Sequence, residues 1–175
     1  DVRHIAFVTS DEVELELQIE NAPGEERAFL EDPRVAVHHD DGRRFVASAS
    51  EGSYDLIIVE EPDPVTAGSN RFYTIEFFQA CRRALGERGT LATRISVSEH
   101  WSNPDIIMPA AILHDTLLQT FGHVAISPGA EMRFYASASS TSVTDDHGEL
   151  ARRWRERSSS IEGFSQYRFE EHFQN

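Results

Sequence analysis

A mostly parallel α/β sheet with helices on both faces and an antiparallel C-terminal edge is the fold this sequence predicts, and three observations carry it. Short apolar runs bounded by turn residues recur along the chain, and segments of helical periodicity separate several of them. One run, Tyr54-Asp55-Leu56-Ile57-Ile58-Val59, is continuous and largely aliphatic, the pattern of a strand buried on both faces of a parallel sheet. The last two runs, 123–126 and 132–136, flank Ser127-Pro128-Gly129-Ala130, which predicts a closing hairpin.

Taken in order, Arg3-His4-Ile5-Ala6-Phe7-Val8 reads as a strand stopped by the cap and turn residues Thr9-Ser10-Asp11. From Val13 to Ile19 apolar residues alternate at strand period, yet Glu, Leu and Gln favour helix. A helix is expected there if the segment completes a βαβ unit, and a hairpin is the alternative. Asn21-Ala22-Pro23-Gly24 breaks the chain, and Asp32-Pro33 introduces a second strand, 34–38, ending at Asp40-Asp41-Gly42. A brief helix is expected from Arg43 to Ala49, then the strand 54–59, which ends in Glu60-Glu61-Pro62-Asp63-Pro64.

From Tyr73 to Leu85, Phe77, Phe78, Cys81 and Leu85 recur at helical spacing, with Gly86 and Gly89 as the stop. Thr90 to Ile95 is the next strand. A helix through Ile112, Leu113, Leu117 and Phe121 follows Pro104 and closes at Gly122. Ser137 to Asp146 reads as a linker, Glu149 to Arg157 as a short basic helix, and Phe164, Tyr167, Phe169 and Phe173 as an aromatic tail. The expected organisation is a domain over 1–138 and an appended segment over 139–175.

A chain of 175 residues can form one compact core, and 39% hydrophobic with 26% charged residues excludes a disordered composition. No segment approaches membrane-spanning length, and no basic segment followed by an apolar run opens the sequence. With 30 acidic against 16 basic residues the net charge is −14, which disfavours nucleic acid and anionic membranes and suits cationic ligands. Cys81 is the single cysteine, so an intrachain disulfide is excluded, and its apolar neighbours mark it as a small buried hydrophobe.

Ligands of open parallel sheets bind beyond the carboxyl ends of the strands. Asp11, Asp41, Glu60 and Asp63 all follow expected strands, making an acidic rim suited to an amine rather than a phosphate. His38-His39-Asp40-Asp41 holds metal-ligand residue types, but strand neighbours point to opposite faces, so no metal is expected. The arginines around Trp154 read as a solvated helix face.

Four segments together resemble the spermidine synthases: Asp32-Pro33-Arg34-Val35, Asp41-Gly42-Arg43-Arg44-Phe45, Tyr54 to Pro64, and Asn70-Arg71-Phe72-Tyr73-Thr74-Ile75-Glu76-Phe77-Phe78. The likeness runs with decreasing strength from Val2 to about Ala138 and is greatest to the spermidine synthase-like domains that bacteria fuse to membrane-spanning segments. It implies a Rossmann-like, methyltransferase-like fold and aminopropyl transfer from decarboxylated S-adenosylmethionine to a polyamine such as putrescine, with no metal. By position Glu60 corresponds to the carboxylate that acts as base, Asp63 to the one that helps hold the amine, and Tyr73 to the tyrosine shaping the amine pocket. Asp41, with Gly42 beside it, falls on the aspartate that accepts from the adenine amino group. A homodimer, a cytoplasmic location and membership of a longer, membrane-associated protein are also implied.

Three departures accompany the likeness. The family base is normally Asp, and Glu60 adds a methylene, a displacement of roughly 1 Å. The ribose-binding acid aligns with Thr9, leaving Ser10 and Asp11 nearby. The first strand and its glycine-rich turn have no counterpart, so strands two and four of the family lose their shared neighbour. A piece of a longer protein is the expectation, with a rearranged sheet or a partner chain as alternatives. Two other functions stay open: a non-catalytic binding domain retaining the fold, and a small-molecule methyltransferase.

Overall fold

A computed structural model of the chain describes residues 2–11, 13, 15, 24–96, 104–129 and 131–157. In place of the one core expected, it divides into two compact units, Asp1–Ala49 and Ser50–Asn175.

In the first unit, β1 (Ile5–Thr9) and β2 (Val35–His39) pair in parallel, in register from Ile5 opposite Val35 to Thr9 opposite His39. Parallel neighbours need a crossover. Val13 and Leu15 are helical, with the Leu15 amide donating to the Asp11 carbonyl at 3.2 Å, which favours the helix over the hairpin at these positions. The rest of 12–20 and the break at 21–23 lie outside the described residues, as do Ala130 and the aromatic tail. Helix α1 (Gly24–Leu30) has no counterpart among the sequence expectations, since its described side chains form no apolar stripe and Phe29 is exposed. The Asp32-Pro33-Arg34 turn is held by the Asp32 carboxylate, which accepts from Arg34 N at 2.9 Å, Nε at 2.9 Å and Nη2 at 2.6 Å. That arginine holds the Asp32 carboxyl down at about 2. Helix α2 (Gly42–Ser48) follows β2 as expected. Ring packing here is limited to Phe7 against Phe29 and His38 against Phe45 among the described residues, and Leu15 and Val46 are the buried hydrophobics.

The second unit holds β3 (Tyr54–Val59), α3 (Ala67–Asn70), a 3₁₀ turn over Arg71–Tyr73, α4 (Ile75–Ala84), β4 (Leu85–Ser96), α5 (Pro104–Phe121), β5 (His123–Ser127), β6 (Glu131–Ser137) and α6 (His147–Arg157). Its sheet order is β3-β4-β6-β5, with β3 parallel to β4 and the β5–β6 hairpin antiparallel, β6 lying inside against β4. Helices α4 and α5 pack on each other, with α4 against β4 and α5 against β5 and β6. Phe78, Leu91, Leu117 and Phe134 are fully buried in this core. Cys81 lies there too, and burial pushes its thiol up to about 12, as suits an inert hydrophobe.

Two expectations need correction. Strand β3 is not buried on both faces: Leu56 and Ile58 are 52% and 58% exposed, because among the described residues β3 pairs only with β4 and none covers its Leu56–Ile58 face. The stop of α4 is Leu85, whose backbone turns extended while its amide bonds to the Cys81 carbonyl, and Gly86 and Gly89 belong to β4. They lie where the pairing shifts, with Tyr54 opposite Leu85 but Leu56 opposite Thr90. A Cβ on Gly89 would stand 2.9 Å from Leu85 Cβ and 3.0 Å from the Gly86 carbonyl oxygen, so only glycine fits the bend. Gly122 does end α5, at φ +89°.

Among the described residues, no helix is long and apolar enough to cross a membrane, and no three His, Cys, Asp or Glu side chains cluster as metal ligands.

Candidate functional site

The carboxyl ends of β3 and β4 lie side by side, with Val59 opposite Thr93, so the residues that follow Val59 meet the last residues of β4. Glu60 leaves β3 directly into an ion-pair ring. Its Oε2 accepts from Arg94 Nε at 2.7 Å and its Oε1 from Arg133 Nη1 at 3.1 Å. Glu131 closes the ring, accepting from Arg94 Nη1 at 2.8 Å and Arg133 Nη2 at 3.0 Å. The hydrogen bond to Glu60 is the first cause that holds the Arg94 guanidinium above its already high range.

Asp63 is placed by a tight local structure. Its carbonyl accepts from Val65 N and from the Ser69 hydroxyl, each at 2.7 Å, and Ser69 with Thr66 forms the capping box that starts α3. Asp63 Oδ1 accepts from Ser96 N, at the end of β4, at 2.9 Å. Its Oδ2 takes no hydrogen bond from any described residue. The 3₁₀ turn after α3 delivers Tyr73, whose hydroxyl donates to the Glu61 carbonyl at 3.0 Å and the Arg94 carbonyl at 3.3 Å. Burial, and then the Asp63 charge, push that phenol up to about 12, so it stays a neutral donor. Thr93 is 3% exposed, and its hydroxyl is the buried side-chain polar atom left without a hydrogen bond among the described residues. It lies beside the Tyr73 phenol, close enough to interact with it.

Glu60 and Tyr73, named from sequence, thus both meet Arg94, and Asp63, bonded to Ser96, lies near the Tyr73 phenol. Asp11 and Asp41 with Gly42 belong to the other unit, at the carboxyl ends of the paired strands β1 and β2. Asp11 is exposed, its amide donating to Thr9 Oγ1 at 3.3 Å and its carbonyl serving Leu15. Asp41 caps α2, accepting from Arg44 N at 3.1 Å, and Gly42 is the first residue of that helix. Capping accounts for Asp41 Oδ1 without any ligand.

Sequence reasoning missed Arg94, Arg133, Glu131, Thr93 and Ser96. One signal was available: Arg94 and Arg133 each sit inside an expected strand, where an arginine demands an anionic partner.

Comparison with known proteins agrees with this architecture. The spermine/spermidine synthase domain matches residues 1–112. Polyamine aminopropyltransferase 1 of Pseudomonas aeruginosa is 38% identical over 93 residues, 53% of this chain and 32% of that protein. The chain therefore spans about a third of the length of that relative. Among solved structures, a spermidine synthase in complex with the transition state analogue AdoDATO superimposes with a TM-score of 0.74 at 17% identity, over 99% of this chain and 58% of that one. Human methyltransferase-like protein 13 in complex with SAH gives 0.66, also at 17%, over 93% of this chain and 74% of that one. These structures share the Rossmann-like α/β fold. With the domain match covering residues 1–112 of 175, the chain belongs to the spermine/spermidine synthase family.

Proposed function

We propose that this chain carries the amine-recognition part of a polyamine aminopropyltransferase. The supporting observation is the meeting of the Asp63 carboxylate and the neutral phenol of Tyr73 at one strand end, beside the buried Thr93 hydroxyl and the Glu60 ion-pair ring, in a chain of this family. Carboxylates beyond the strand ends suit a cationic diamine such as putrescine, as does a net charge of −14.

In the reaction, the amine nitrogen forms a bond to the aminopropyl carbon next to the sulfonium of decarboxylated S-adenosylmethionine. The carbon–sulfur bond breaks with its electron pair going to sulfur, giving a neutral thioether, and the nitrogen gives up a proton to a carboxylate. The protein's part is to hold the amine in line and receive that proton. The nucleoside end is assigned to Asp11, Asp41 and Gly42 of the first unit. A homodimer and a cytoplasmic site of action belong to the same proposal, with no metal in the chemistry.

A second reading, a binding domain that keeps the fold without catalysis, is favoured by one observation: both oxygens of Glu60 are taken by arginines. Calorimetric titration of the chain with decarboxylated S-adenosylmethionine, its thioether product and putrescine, in separate runs, tests the enzyme reading. Micromolar binding of the nucleosides and of putrescine is expected. Binding of putrescine alone would leave the binding-domain reading, and no binding by a folded sample would remove both.

A further inference from the structure

We infer that Arg94 and Arg133 withdraw Glu60 from amine recognition, so that Asp63 alone is the carboxylate that receives the substrate amine. The inference rests on the proposed amine site and assigns the roles within it.

Arg94 and Arg133 are register partners on β4 and β6, two cations directly opposite each other on one face of the sheet. Like charges in that position repel and destabilise the pair of strands. Glu60 and Glu131 resolve the conflict, each accepting one bond from each arginine, so the four groups sum to zero charge. A diamine approaching Glu60 would have to displace a guanidinium hydrogen bond of 2.7 Å and another of 3.1 Å, and would leave the two arginines facing each other with one bridging carboxylate. Each guanidinium holds both carboxylates at once, Arg94 through Nε and Nη1 and Arg133 through Nη1 and Nη2, an arrangement that a single alkylammonium cannot replace.

Asp63 presents the opposite case. Ser96 N fixes its Oδ1, the Ser69–Thr66 box fixes its backbone, and Oδ2 meets no hydrogen-bond donor among the described residues. No described arginine or histidine forms an ion pair with it. Tyr73 lies close enough for the Asp63 charge to act on its phenol. A carboxylate fixed through one oxygen, with its other oxygen bonded by no described residue and a neutral hydroxyl nearby, has the geometry to accept a hydrogen bond from an ammonium and then its proton. Glu60, acting only through the ring, is a positioning residue that keeps the β4 and β6 ends together.

The test is calorimetric titration of the full chain with putrescine for the unaltered protein, Asp63→Asn, Glu60→Gln, Arg133→Met and the double variant Arg133→Met/Glu60→Gln. Asp63→Asn is expected to weaken binding by about tenfold or more, the loss of one charge-assisted hydrogen bond. Glu60→Gln should weaken binding clearly less than Asp63→Asn does, since the altered group makes no amine contact. Arg133→Met frees Glu60 Oε1 and should tighten binding several-fold, a gain that unfolding cannot mimic, and adding Glu60→Gln should erase it. Glu60→Gln weakening binding as much as Asp63→Asn, or Arg133→Met giving no gain while folded, would overturn this inference and leave the amine site standing. An unaltered chain that binds no putrescine would overturn both.

Discussion

The two units use the same unit of construction, a parallel strand pair with helices following the strands, and reach different degrees of burial. Every residue of β1 is half-buried and β2 ends exposed, whereas β4 alternates buried and half-buried positions from Gly89 to Ile95. The strand sequences are not the cause, since Ile5-Ala6-Phe7-Val8 is as apolar as Leu91 to Ile95. The difference lies in layers: β4 has strands on both sides and α4 against it, while β1 pairs with β2 alone among the described residues. Apolar strand composition thus sets what can be buried, and the number of neighbours sets what is. Charge follows the same division. Acids of the first unit serve local turns and caps, as Asp32 and Asp41 do, whereas those at the end of β3 and β6 bridge strands distant in sequence.

The sharpest way to break this contrast is to remove a ring from each unit. Phe134→Ala should destabilise the second unit by about 3–5 kcal/mol, the cost of emptying a fully buried site, and Phe7→Ala the first by less than half of that, both read by denaturant unfolding. Equal losses would mean that the half-buried first unit is as tightly built as the second. Next in size, Gly89→Ala should cost about 1–3 kcal/mol, because the added methyl meets Leu85 and the Gly86 carbonyl at the bend of β4. A neutral result would show that the bend relaxes. In the first unit, Asp41→Ala should cost about 1 kcal/mol through loss of the α2 cap, measured by amide exchange of residues 42–48.

The smallest effect is a pH dependence. Hydrogen bonds from Arg152 and then Arg153 hold the Glu149 carboxyl down at about 2 from an ordinary 4.5. A carboxyl depressed in the folded state stabilises fully above its unfolded value and loses that contribution as pH falls through the folded one. The thermal midpoint should therefore decline between about pH 4.5 and 2, and Glu149→Gln should flatten that part of the curve. Asp32, also at about 2, acts in the same direction in the first unit and contributes to the residual slope.

Much of the fold was legible because strand and helix periodicities are local. Strand 54–59 falls where its aliphatic run lies, and Gly122 ends α5 because no other residue readily adopts that φ. Burial of β3 was misread, since an aliphatic run states what a strand can pack against, not whether a covering layer is there. Glu60, Asp63 and Tyr73 were named from the family-like segment that contains them, and they follow β3 as that segment predicts. Arg94, Arg133 and Glu131 were not, because their meeting depends on β6 inserting beside β4, a pairing between positions about 40 residues apart that no local pattern records.

The most direct test of amine recognition in the second unit is to titrate the isotope-labelled chain with putrescine and follow its amide and side-chain resonances by nuclear magnetic resonance. Shifts concentrated at Asp63, Tyr73, Thr93 and Ser96, with Asp11 and Asp41 unmoved, are the predicted result. Shifts confined to residues 2–49, or none at saturating putrescine, would contradict it.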